Sequence, residues 1–198
     1  MGNGDYLTDA NIEVGAPIVL VGFMCSGKTT LGRALAQRIG SDFVDLDLII
    51  EETEGRTISR IFAEEGEDGF RLIEARTLQE VLKQNASKPI VLALGGGTPC
   101  RPGCMETVNA VSFATVWLQT DRERLIDRLE KGADSRPLMA GKTRFEISET
   151  VQSMLAVREP FYAQATHRFD SSQLESADEI ERSVERFVNE ILKGHNHS

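Results

Sequence analysis

A chain of 198 residues with a formal net charge of −9 is long enough to bury a substantial core within one domain. Its 40% hydrophobic and 27% charged residues are ordinary for a globular protein and exclude fibrous or wholly disordered classes. The acidic balance disfavours nucleic acid and anionic membranes as partners, so any anionic ligand must meet a local gathering of Arg and Lys. No apolar run approaches the roughly 20 residues of a membrane span, and the N-terminus has neither a basic region nor an apolar signal core, so a cytoplasmic location is expected. The three cysteines, Cys25, Cys100 and Cys104, have no framework spacing and are expected to be reduced thiols.

Residues 1–16 are polar, contain glycine and keep no period, which predicts a mobile arm. A single domain is expected over 17–193. Pro17 opens a first strand through the apolar run Ile18, Val19, Leu20, Val21, ending near Phe23. Residues 22–30 then read G-F-M-C-S-G-K-T-T, matching G-x-x-x-x-G-K-[ST] at Gly22, Gly27, Lys28 and Thr29. Strand, glycine loop and helix are the context this phosphate-binding motif requires. The glycines let successive N–H groups converge on a polyphosphate. Cys25, Ser26, Gly27, Lys28, Thr29 and Thr30 are therefore the expected nucleotide contacts. Lys28 brings charge to the outer phosphates, and Thr29 offers a hydroxyl to magnesium. Cys25, among phosphate-binding amides at a helix N-terminus, is expected to react readily unless nucleotide shields it.

A helix is predicted over 28–39, with Leu31, Ala34, Leu35 and Ile39 at helical spacing and Gly40 as its stop. A second strand over 42–47 ends in Asp45-Leu46-Asp47. Residues two apart on a strand face one side, so the two carboxylates are expected to project together. Such a pair is costly without a cation or a proton-transfer role, although a solvated strand end is the plainer alternative. Residues 48–85 read as helix broken at Gly55, Gly66 and Gly69, with Phe70, Ile73, Leu78, Val81 and Leu82 on the buried side of the last piece and Arg71 beside Phe70. Residues 90–94 form an apolar strand of the kind buried on both faces of a parallel sheet. It ends in Gly95-Gly96-Gly97, where bare backbone can approach a ligand.

A fourth strand is predicted over 114–118, followed by a helix capped by Thr120 and Glu123 that carries Arg128. Residues 131–146 are rich in Gly, Lys, Arg and Asp and contain Arg136-Pro137-Leu138, the composition of a lid loop. A helix over 148–157 leads into Arg158-Glu159-Pro160-Phe161-Tyr162, and a fifth strand over 167–170 follows. The last helix is the clearest, capped by Ser176 and Glu179 with Ile180, Val184, Phe187, Val188 and Ile191 in one stripe. Residues 194–198 read as a frayed tail. Strands alternating with helices give a three-layer, doubly wound parallel α/β domain.

From about residue 17 to 192 the chain resembles the shikimate kinases. The resemblance rests on six elements in order: the loop at Gly22 to Thr29, Asp45-Leu46-Asp47, Gly69-Phe70-Arg71, Gly95-Gly96-Gly97, Arg136-Pro137-Leu138 and Arg158-Glu159-Pro160-Phe161-Tyr162. It implies a P-loop, nucleoside monophosphate kinase-like fold with five strands in the order 2-3-1-4-5. It also implies phosphorylation of the 3-hydroxyl of shikimate by ATP, with one magnesium ion per subunit. By the same resemblance Asp47 orients or deprotonates the attacking hydroxyl, and Asp45 lies near magnesium through water. Arg71 and Arg158 grip the shikimate carboxylate, Gly96 and Gly97 contact its ring, Arg136 reaches the transferring phosphoryl group and Arg128 stacks on adenine. Met139 stands where the family often has Leu, a swap of similar volume.

These residue types suit the chemistry on their own terms. Phosphoryl transfer is mostly positioning and charge stabilisation, and a planar Arg fork holds a carboxylate better than Lys does. Gluconate or nucleotide kinases of the same fold, and a nucleotide-binding module without catalysis, are the competing expectations. A monomer is expected.

Overall fold

Apolar strands with no polar alternation set the centre of the molecule. In the computed structural model, which describes residues 14–132, 139 and 141–195, β1 (Ile18–Val21) and β3 (Ile90–Ala93) are buried at all four positions. Both faces of these strands are covered by helices, the environment that such runs require. Parallel pairing joins β1 to β3 and to β4 (Ala114–Gln119), β3 to β2 (Asp42–Asp45), and β4 to β5 (His167–Asp170). The sheet order is β2-β3-β1-β4-β5, as the resemblance implied.

The two-residue alternation of the central strand divides the core. Val19 and Val21 point into a layer built with Ile50, Ile61, Phe70, Leu78, Val108, Val151 and Tyr162, while Ile18 and Leu20 point into one built with Leu31, Leu35, Val184 and Phe187. Val14, within the stretch expected to form an arm, is buried in the second layer.

Helix α1 (Lys28–Ile39) starts from Gly27 at φ 91° and stops at Gly40 at φ 67°. The reading of 42–47 as one strand is corrected. β2 ends at Asp45, and Asp47 lies in the first turn of α2 (Leu46–Glu54), whose N-cap is Asp45. The Asp45 side chain accepts the Asp47 N–H at 3.2 Å, so capping outcompetes strand continuation. Helix α3 (Ile58–Gln84) is interrupted only at Gly66, where φ is 71°, and runs unbroken through Gly69.

After a 3-10 turn (Thr98–Cys100) comes α4 (Cys104–Val111), which the sequence pattern did not reveal. Helix α5 (Arg122–Lys131) is capped by Asp121 rather than Thr120, whose hydroxyl instead meets Ser26 O and Ser171 Oγ. Helix α6 (Arg144–Tyr162) is longer than expected at both ends, because Thr143 and Glu146 form a capping box and the helix continues past Pro160. Helix α7 (Ala177–Phe187) carries the predicted Ser176–Glu179 capping box and leads into a π-helical turn (Val188–Leu192). Met139 is fully buried in the first core layer. Among the described residues no helix is long and apolar enough to cross a membrane.

Candidate active site

The C-terminal ends of β1, β2 and β3 open onto one edge of the sheet, the place where open α/β folds hold ligands. After β1, a tight loop turns back on itself, with Ser26 N donating to Phe23 O at 3.2 Å. Gly22 sits at φ 147°, and a Cβ there would stand 2.8 Å from Leu118 O and 2.9 Å from Ser26 Oγ. Cys25 holds φ 61°, the only positive φ outside glycine among the described residues. The loop thus tolerates a non-glycine residue at one left-handed position while requiring glycine at Gly22.

Lys28 Nζ donates to Gly22 O at 2.9 Å and Phe23 O at 2.8 Å, so the ammonium is folded over the concave face of the loop. Burial lowers its pKa to about 8, opposed by the charges of Asp47 and Asp45. Thr29 Oγ1 donates to Asp45 Oδ2 at 3.1 Å. A hydroxyl paired with a carboxylate beside a phosphate loop fits the hard, oxygen-rich surroundings that magnesium prefers. Asp47, one helical step further, is held up at about pKa 6 by burial first and by the neighbouring Asp45 charge second, with Lys28 opposing.

A cleft of about 320 Å³ runs from the loop to α5, lined by Cys25, Gly27, Lys28, Thr29, Thr30, Arg128, Leu174 and Glu175. Arg128 braces this cleft. Its Nε donates to Glu175 Oε1 at 2.7 Å, Nη1 to Cys25 O at 3.1 Å, and Nη2 to the carbonyls of Ser171 and Ser172 at 3.2 and 3.1 Å. These bonds tie the phosphate loop to the segment after β5.

On the other side of β1, the glycine triplet lets three side chains close in. A Cβ on Gly95 would lie 2.8 Å from Asp47 Oδ1, one on Gly96 would lie 3.3 Å from Arg158 Nη1, and one on Gly97 would lie 2.6 Å from Arg71 Nη2. Arg158 also lies 5.6 Å over the Phe23 ring, while Tyr162, one turn further along α6, donates to Gly96 O at 2.5 Å. Asp47, Arg71 and Arg158 therefore converge on one short backbone segment, with Lys28 on the adjoining loop.

A family model for shikimate kinase matches residues 24–193 of this chain. The chain belongs to the shikimate kinase family. It is 39% identical over 176 residues to the shikimate kinase of Phocaeicola vulgatus, a match covering 89% of this chain and 98% of that protein. The crystal structure of the Bacteroides thetaiotaomicron shikimate kinase superposes with a TM-score of 0.80 at 37% identity, covering 88% of this chain and 96% of the other. The Acinetobacter baumannii shikimate kinase, solved in complex with shikimate, gives a TM-score of 0.78 at 30% identity over 94% and 98% of the two chains.

Within this shikimate kinase fold, Arg136, with Pro137 and Leu138, lies outside the described residues. One buried residue of the site escaped sequence reasoning. Glu74 bonds to Arg71 and to Thr98, and its place one helical turn after Arg71 was the available signal. Cys104 is buried and its thiol pushed up to about 11, chiefly by burial, in keeping with an inert structural cysteine.

Proposed function

We propose that this shikimate kinase transfers the γ-phosphoryl group of ATP to the 3-hydroxyl of shikimate, giving shikimate 3-phosphate and ADP for aromatic amino-acid biosynthesis through chorismate. The observation that carries the reading is the convergence of Asp47, Arg71 and Arg158 on Gly95 to Gly97 beside the Lys28 loop. In this reading Asp47 orients the hydroxyl and takes its proton as the oxygen attacks the γ-phosphorus and ADP departs. Arg71 and Arg158 hold the carboxylate, with Gly96 and Gly97 against the ring.

The donor half is the loop. Amides of Cys25, Ser26, Gly27, Lys28, Thr29 and Thr30 receive the phosphates, Arg128 offers a face to adenine, and Lys28 leaves its loop carbonyls for the phosphate oxygens. Magnesium would be held by Thr29 and, through water, by Asp45, and supplies charge neutralisation on the phosphates. Arg136 is assigned to the transferring phosphoryl group. We assign the enzyme to the cytoplasm as a monomer without nucleic-acid partners, on its acidic charge.

ADP release with magnesium and ATP, measured separately with shikimate, gluconate and nucleoside monophosphates, tests the proposal. Release with shikimate alone is expected. Turnover only with gluconate or a nucleotide would overturn the acceptor assignment, and release with none would leave a binding module.

A further inference from the structure

Glu74 is a carboxylate only 2% exposed, and such a charge costs several kcal/mol unless it is paired and hydrogen-bonded. Both of its oxygens are occupied. Oε2 accepts Arg71 Nη1 at 2.8 Å, and Oε1 accepts Thr98 Oγ1 at 2.6 Å. Thr98 is equally buried and opens the 3-10 turn directly after the glycine triplet, its N–H donating to Gly95 O at 3.2 Å. The hydroxyl therefore links a fixed turn to the carboxylate, and the carboxylate links that turn to the Arg71 fork.

The other edge of Arg71 is held differently. Nη2 reaches Glu67 Oε1 at 3.3 Å, and that side chain is 70% exposed. A long contact to a solvated carboxylate is weak and exchangeable, whereas the buried Glu74 contact is not. A ligand carboxylate arriving over Gly97 meets a guanidinium already oriented on one edge and replaceable on the other.

We infer that Thr98 is a positioning residue for acceptor recognition: it fixes Glu74, Glu74 fixes Arg71, and the acceptor carboxylate displaces Glu67 from the other edge. The inference rests on Arg71 holding the shikimate carboxylate, as proposed above. Preorganising the fork saves the ordering of a long side chain at the moment of binding.

Steady-state kinetics of Thr98→Val, Thr98→Ser, Arg71→Ala and the Thr98→Val/Arg71→Ala double variant test it. Thr98→Val keeps the volume and removes the donor, so KM for shikimate should rise about tenfold, or ~1.4 kcal/mol, while KM for ATP and kcat stay within about twofold. Thr98→Ser, which restores the hydroxyl, should return KM close to the parent value. In the Arg71→Ala background the Thr98→Val effect should vanish, because the two act in series. An unchanged shikimate KM in Thr98→Val, an equal rise in the ATP KM, or full additivity with Arg71→Ala would overturn the inference. An unchanged shikimate KM in Arg71→Ala itself would instead overturn the carboxylate assignment beneath it.

Discussion

At the residue scale, two groups proposed to take part in the chemistry are displaced toward each other in pKa. Asp47 is raised to about 6 and Lys28 lowered to about 8. A base must be unprotonated and a phosphate-binding ammonium protonated, so activity should be lost as pH falls through the first value and as it rises through the second. The expected kcat/KM profile of the free enzyme is a bell with limbs near 6 and 8; a flat profile from 5 to 9 would remove both groups from the mechanism. Asp47→Asn should lower kcat by at least about a hundredfold with nucleotide affinity largely retained, as measured by calorimetric titration. The same substitution has a stability consequence. Because the folded pKa of Asp47 lies above its ordinary value of 3.8, its ionisation destabilises the fold progressively from about pH 4 to about pH 6 and fully above that, so Asn should raise Tm at pH 8 and not at pH 4. Arg158→Ala removes one arm of the proposed carboxylate clamp and should raise the shikimate KM by about ten- to a hundredfold. An unchanged KM would count against that contact.

At the element scale, glycine acts through space as much as through backbone freedom. Gly97 sits at φ −99° and ψ −15°, a conformation open to any residue, yet a Cβ would lie 2.6 Å from Arg71 Nη2. Gly97→Ala should therefore leave Tm within a few degrees while displacing the guanidinium and raising the shikimate KM by about tenfold or more; equal KM values would show that Arg71 does not act from its observed position. Strong periodicity made β1, β3, α1 and α7 legible from sequence, because their burial requires a continuous pattern over several residues. Helix α2 was misread at its start because D-L-D-L alternates like a strand, and only the Asp45 cap decides otherwise. The Thr143 capping box was hidden in a segment whose composition resembled a loop. The donor half of the site was legible from one contiguous motif. Arg71 and Arg158 carried no local signal, since their meaning depends on α3 and α6 bringing them to the same glycine backbone.

Over the whole molecule, the sheet sets the proposed donor and acceptor halves on opposite sides of β1. On the proposed reading, the excess negative charge is reconciled with anionic ligands by Lys28, Arg71, Arg128 and Arg158 collected along that edge. Because the core layers share the central strands, ligand binding to either half should stabilise the entire domain. A nucleotide at one hundred times its Kd contributes about 2.7 kcal/mol, and a chain of this size gains roughly 2–4 °C per kcal/mol. Magnesium-ADP should thus raise Tm by about 5–10 °C. Lys28→Met removes the ammonium that bonds to Gly22 O and Phe23 O and also removes the desolvation of a buried cation, so the unliganded Tm should change little. In that variant the ADP increment should largely disappear while the increment from saturating shikimate persists. Thermal unfolding with each ligand separately reads both quantities. Loss of both increments would show that the halves are coupled through Lys28, and retention of the ADP increment would remove Lys28 from nucleotide binding.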